Sequence, residues 1–202
     1  MKKLLLAVLL VCIPGCAMST PAVLAPAMVA STVALSGADG KPYCSGVAIS
    51  PTRVMTAAHC LAKPELYVFA EGGTPKKAIV IWQNVERDAA ELEVEGANFK
   101  PARLGDSSKL QRGDMVFTVG NTYGNLTFSF YVGYVSFIDR SLVDSSEEES
   151  PLGNFLQYQL ETRGGNSGGP IFNAAGEVIA IHTRSDSRGV AFGVPINEAK
   201  PS

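Results

Sequence analysis

Residues 164–170 read GGNSGGP: one serine among four glycines, an asparagine and a proline. Glycine loses more chain entropy on folding than any other residue, so four within seven positions are a cost that a plain surface loop does not require. Without Cβ atoms, the chain before Ser167 can turn the N–H groups of Gly165 and Ser167 toward one point. Gly168 and Gly169 then let another segment approach closely. A hydroxyl beside a cup of fixed donors suits acyl transfer, provided that a base removes its proton. A glycine-rich turn holding a serine is, alone, more often only a turn. The base decides.

The chain of 202 residues offers two histidines, His59 and His182. His59 stands in TAAHC directly before Cys60, and Cys44 lies fifteen residues upstream in YCSG. Cys12 and Cys16 fall in or beside an N-terminal leader, which leaves Cys44 and Cys60 to pair in an oxidising compartment. That disulfide would staple the segment carrying His59 to its neighbour and fix where the imidazole points. Two cysteines do not make a tetrahedral zinc site, and with so few histidines no metal and no other cofactor is expected.

The leader is MKKLLLAVLLVCIPGCAMS: two lysines, an apolar run over residues 4–13, then small residues. This is the pattern of a secretory signal peptide over residues 1–18. IPGC resembles a bacterial lipobox, which would make Cys16 a lipidated first residue and its lipid an anchor to a membrane. Cleavage after Ala25 or Ala30 is the rival. Residues 19–30 then read as a Pro/Ala-rich linker or the tail of the signal, and residues 31–202 as the exported domain. Export implies a periplasmic, cell-envelope or extracellular location.

Hydrophobic residues make up 46% of the chain and charged ones 18%, with a net charge of −2. No Lys/Arg block occurs, so nucleic acid is not an expected partner. Twenty glycines and twelve prolines punctuate many short apolar runs, which favours an all-β domain. Candidate strands include GVAIS, RVMTA, LYVFA and KAIVIW, then DMVFTVG, LTFSFYVGYVSFI, FLQYQL, EVIAIH and VAFGVPI. Alternation puts Phe128, Phe130, Val132 and Tyr134 on one side of a strand and Thr127, Ser129, Tyr131 and Gly133 on the other. Turn formers and charge concentrate at residues 98–114, a natural seam. Residues 144–150, DSSEEES, read as an acidic surface loop.

TAAHC together with GNSGGP, in that order, resembles the trypsin-like serine proteases, and the Cys44–Cys60 spacing is similar to that family's disulfide beside its histidine. The resemblance runs over roughly residues 45–198 and is nearest to compact bacterial members, the HtrA-type and glutamyl endopeptidase-like domains. It implies two packed six-stranded antiparallel β-barrels, barrel 1 over about 31–100 and barrel 2 over about 112–198. It also implies peptide-bond hydrolysis with His59 as base, Ser167 as nucleophile and the Gly165 and Ser167 N–H groups as oxyanion hole. The third member should be a carboxylate between the motifs. Asp88, in VERDAAELEV, is similar to the aspartate of the HtrA-type pattern; Asp106 and Asp114 are rivals in the inter-barrel stretch. Asn166 replaces the aspartate with which digestive relatives engage a newly freed amino terminus, so that activation switch is not expected.

Protein or peptide substrates follow from the resemblance, and their side-chain preference stays open. Thr162 and His182 resemble the pair with which glutamyl endopeptidases hold an acidic side chain, and Arg163, Arg184 and Arg188 favour the same charge. A small or apolar residue is the second choice, and Glu161, six before Ser167, points instead to a basic residue, the third. The acidic reading is taken first. No segment resembling the peptide-binding domains of HtrA-type enzymes follows VPINEAKPS, so cage-forming quality control is not implied. The competing class is a catalytically silent homologue used as a binding module. An α/β-hydrolase esterase would need its catalytic histidine after the serine and a βαβ rhythm; the strong candidate, His59, precedes Ser167, and no such rhythm is present.

Overall fold

The computed structural model describes residues 20–143, 151–186 and 188–199, without the side chains of 142–143 and 151–153. Residues 1–18, read as a signal peptide, with Cys16, and the acidic stretch 144–150 lie outside them.

Barrel 1 is closed by six strands: β1 (Thr32–Ser36), β2 (Pro42–Ala48), β3 (Arg53–Thr56), β4 (Leu66–Ala70), β5 (Lys76–Asn84) and β6 (Ala89–Val94). They run in the order β1-β2-β3-β6-β5-β4, every pair antiparallel. Val33, Leu35, Val54, Val68, Leu92 and Val94 fill it. β-branched and leucine side chains alternating inward are what a small barrel requires.

Barrel 2 contains β8 (Met115–Thr122), β9 (Leu126–Val143), β10 (Pro151–Gln159), β11 (Pro170–Phe172), β12 (Glu177–Ser185) and β13 (Val190–Pro195). The order β11-β8-β9-β10-β13-β12 closes through the β11–β12 pairing. The short β7 (Arg103–Leu104) adds a parallel rung to β12. Val116, Val135, Leu156, Tyr158, Leu160, Ile171 and Ile179 form the interior. A further cluster, including Val47 and Met55 of barrel 1 with Phe117, Val119, Phe155 and Ile181 of barrel 2, packs the two barrels together. The candidate site residues His59, Asp88 and Ser167 sit at this seam.

Two expectations change. The stretch read as linker or signal tail is helical where described: α1 spans Pro21–Ser31. Pro21 at the first turn needs no N–H partner there, and Met28 is buried against the inter-barrel cluster with Leu24 and Val29 beside it. Both rival cleavage points, after Ala25 and after Ala30, fall within this helix. In β9, the alternation of period two is present, but its outer face is not one continuous row. Phe128 and Phe130 pack inward, whereas Val132 and Tyr134 are exposed and Tyr131 and Val135 join the barrel 2 core. Phe128 takes φ +54°, a left-handed conformation that interrupts the strand's regular pleat.

Candidate active site

His59 sits on a one-turn 3-10 helix, Ala58–Leu61, just after β3. Cys60 beside it is disulfide-bonded to Cys44 of β2, with Cα atoms 6.0 Å apart. The Tyr43 hydroxyl donates to the Cys60 carbonyl at 2.8 Å, and burial pushes that phenol up to about 12. The residue that follows His59 is therefore held through both its side chain and its carbonyl.

Its partner is Asp88, in the turn between β5 and β6. The His59 Nδ1 lies 2.8 Å and 3.0 Å from the two carboxylate oxygens. The His59 backbone N–H donates to Asp88 Oδ1 at 2.9 Å, and the Thr183 hydroxyl donates to Oδ2. Burial pushes the Asp88 carboxyl up, yet the hydrogen bonds from His59 and Thr183 outweigh it and hold the group below the usual carboxylate range. An ionised carboxylate only accepts, so Nδ1 carries the proton and Nε2 keeps the lone pair. Asp106 and Asp114 are occupied elsewhere: Asp106 accepts from Ser108 and Asn197, and Asp114 from the Gln111 N–H.

Ser167 is fixed through its backbone. Its carbonyl accepts the Ser45 N–H at 2.8 Å and lies 3.5 Å from Cys60 Sγ. Its hydroxyl donates to the Thr183 carbonyl at 3.4 Å rather than to His59. Thr183 thus touches both halves of the site, with its hydroxyl on Asp88 and its carbonyl on Ser167. Sequence reasoning missed it, because a threonine in EVIAIHTRS reads as an ordinary strand residue.

The glycines answer to close backbone contacts. A Cβ on Gly168 (φ +79°) would lie 2.1 Å from Thr56 Oγ1 and 2.4 Å from the Ser45 carbonyl, in the segment leading to His59. At Gly165 (φ +97°) it would lie 2.1 Å from the Asn121 carbonyl. The Tyr123 N–H donates to the Gly164 carbonyl at 2.6 Å. Carbonyl and N–H point oppositely across a trans peptide, so the Gly165 N–H is turned away from Tyr123. Among the described residues neither it nor the Ser167 N–H has a hydrogen-bond acceptor. Asn166 is buried and exchanges hydrogen bonds with Thr122 at 3.1 and 3.2 Å.

The pocket candidates divide. Thr162 is fully buried, and its Oγ1 has no hydrogen-bond partner among the described residues. His182 is buried with Nδ1 2.6 Å from the Tyr158 hydroxyl. Burial first, then the nearby His59, lowers it to about 4, so the ring is neutral at pH 7. Glu161 is an exposed side chain paired with Arg163 at 3.3 Å, unlike a buried pocket-floor acid. Arg184 lines the cleft with Ala58, His59, Val85, Asp88 and Thr183, whereas Arg188 joins Glu161 and Arg163 in a separate depression beside Val132. The Cys44, His59 and Cys60 ligand atoms lie within 4.8 Å of one another, but the disulfide leaves neither sulfur as a thiolate for a metal.

Two closed antiparallel barrels with this histidine, aspartate and serine loop at their seam define the trypsin-like double-barrel class. The chain belongs to that family: the model of the trypsin-like peptidase domain matches residues 44–181. It is 34% identical over 145 residues to the serine protease Do-like HtrB of Bacillus subtilis, covering 68% of this chain and 31% of the relative. It is 34% identical over 152 residues to the "Probable periplasmic serine endoprotease DegP-like" of Halomonas elongata, covering 72% and 31%. The chain thus spans about a third of the length of these curated relatives. Among solved structures, the HtrA-type protease AlgW with decapeptide superposes with a TM-score of 0.77 at 22% identity, over 90% of this chain and 65% of that one. The active form of the Rv3671c protease from M. tuberculosis gives 0.75 at 24% identity, over 87% and 80%.

Proposed function

We propose that this domain is an exported serine endopeptidase acting through His59, Asp88 and Ser167. The observation that carries it is the Asp88 carboxylate, gathered by the His59 ring, the His59 N–H and the Thr183 hydroxyl. That arrangement fixes the tautomer in which Nε2 is basic. His59 Nε2 takes the Ser167 proton as Oγ adds to the scissile carbonyl, and the Gly165 and Ser167 N–H groups receive the oxyanion. The imidazolium then protonates the leaving amine, and water hydrolyses the acyl-enzyme by the same route in reverse roles. Without substrate, Ser167 rests on the Thr183 carbonyl; hydrogen bonds of this kind commonly tighten toward the base only in the Michaelis complex.

An acidic residue is favoured just before the scissile bond. Thr162 supplies the supporting observation, a buried hydroxyl without a partner, and a carboxylate would satisfy it. The exposed Glu161 removes the main argument for a basic residue. The depth of His182 and its bond to Tyr158 favour a second reading, a small residue that stops short of the ring. Profiling the purified exported domain on a peptide library, beside Ser167→Ala, tests both. Cleavage after Glu or Asp that vanishes in Ser167→Ala supports the first reading, and cleavage after Ala or Ser the second. No cleavage by either protein supports the silent binding module.

A further inference from the structure

Asp88 is one residue from a contact between the two barrels. Arg87 donates through Nη2 to the Asn154 carbonyl of β10 at 2.9 Å and to Glu198 beyond β13. Its guanidinium lies 5.3 Å from the centre of the Phe155 ring. Its backbone N–H donates to Asn84 Oδ1 at 2.9 Å, at the end of β5. The side chain is only 16% exposed, so this is a packed contact rather than a solvent ion pair. A planar guanidinium that engages a carbonyl, a carboxylate and a ring fixes direction as well as distance.

That direction matters because the next residue is held in an unfavourable backbone conformation. Asp88 has φ +51°, the left-handed region that costs a non-glycine residue free energy. The turn's own bond, Asp88 N–H to the Val85 carbonyl, is 3.2 Å. Val85 in that turn is 73% exposed and offers little packing. Asp88 must nevertheless meet His59 of barrel 1 and Thr183 of barrel 2 together. The guanidinium is directed at β10 and Glu198, so it bears on the acid through the position of the turn.

We propose that Arg87 is a positioning residue, a clasp that ties the turn carrying Asp88 to barrel 2 and keeps the carboxylate aligned on His59. This rests on the proteolytic reading of the site. Arg87→Met should lower kcat roughly 10- to 100-fold, the cost of a small misplacement of a reacting group, and leave KM within about twofold. In an Asp88→Asn background the same change should add less than about twofold, since a clasp acting through Asp88 has nothing left to align. Glu198→Gln should give a smaller loss in the same direction, and decides the matter if Arg87→Met does not fold. Lys77→Met, which breaks an exposed pair with Glu65, is the control and should leave kcat unchanged. An unchanged kcat in both clasp variants, or equal losses with and without Asp88, overturns the proposal.

The proton between His59 Nδ1 and Asp88 gives a readout that needs no turnover. Its downfield proton resonance in the full chain should broaden or move upfield in Arg87→Met and Glu198→Gln. If that resonance responds although the wild type cleaves nothing, the clasp stands and the proteolytic reading falls. If the wild type cleaves while resonance and kcat ignore both substitutions, the clasp falls alone.

Discussion

The two barrels contribute to the site in different ways. Barrel 1 supplies His59 and Asp88, held by side-chain hydrogen bonds and a disulfide. Barrel 2 supplies Ser167 and its donor cup, held by backbone bonds (Ser45 N–H on the Ser167 carbonyl, Tyr123 N–H on the Gly164 carbonyl, Gly168 N–H on the His182 carbonyl) and by side-chain bonds from Ser45 to the Gly165 carbonyl and between Asn166 and Thr122. One half fails when a side chain is removed. The other fails when a Cβ is added.

The sharpest break is chemical. Ser167→Ala and His59→Ala should each lower kcat by about 10⁶ in peptide hydrolysis, since neither partner works alone. Asp88→Asn should cost about 10⁴ by the trypsin template, because the amide favours the wrong imidazole tautomer. Circular dichroism should show the fold intact in all three. A loss below about tenfold in Asp88→Asn would remove that residue from the role.

Backbone failure comes next. Gly168→Ala puts a Cβ 2.4 Å from the Ser45 carbonyl and 2.8 Å from the Ala57 N, so the serine loop and the segment before His59 must separate. Activity should fall about 100-fold and the melting temperature should drop with it. Asp88→Asn in barrel 1, which loses the carboxylate's ionic contribution but keeps the side chain's shape, should lower the melting temperature less than Gly168→Ala. Equal melting shifts in both would erase the distinction between the halves.

The third effect concerns pH and separates the halves again. His182, in barrel 2, is buried neutral and lowered to about 4 from an ordinary 6.5. The unfolded chain therefore binds a proton that the folded one refuses, and stability present above about pH 6.5 is lost as pH falls toward 4. The full contribution is about 3 kcal/mol by that span. Asp88 works lower: its depressed carboxyl adds stability above its unfolded value that is lost only as pH falls further. Thermal melts from pH 7 to 4 should thus fall in wild type and flatten over that window in His182→Phe. A parallel fall in both would place the acid sensitivity elsewhere.

What the sequence disclosed follows the same division. Most strands, His59 and the serine loop were legible because turn residues, alternation and two local motifs carry them, whereas β1, β6 and the short β7 and β11 were not among the candidates. Asp88 was legible only through resemblance, since nothing local distinguishes it from Asp106 or Asp114 until the fold brings it to His59. Thr183 and Tyr158 were hidden because their roles depend on partners 95 and 24 residues away. Helix α1 was misread for a physical reason. PAVLAPAMVAS is apolar on every face, so no period marks the side that Met28 buries. In β9 the period was legible, but not which face turns inward: Tyr131 and Val135 join the barrel 2 core, and of the other row only Phe128 and Phe130 are covered by the inter-barrel cluster.

The central claim is that His59, oriented by Asp88, activates Ser167 and no other group. Fluorophosphonate labelling of the purified protein, with the adduct mapped by mass spectrometry, tests it most directly. The account predicts one adduct, on Ser167, at a rate that collapses in His59→Ala and Asp88→Asn. An adduct on another residue, or a Ser167 rate indifferent to both substitutions, would contradict it.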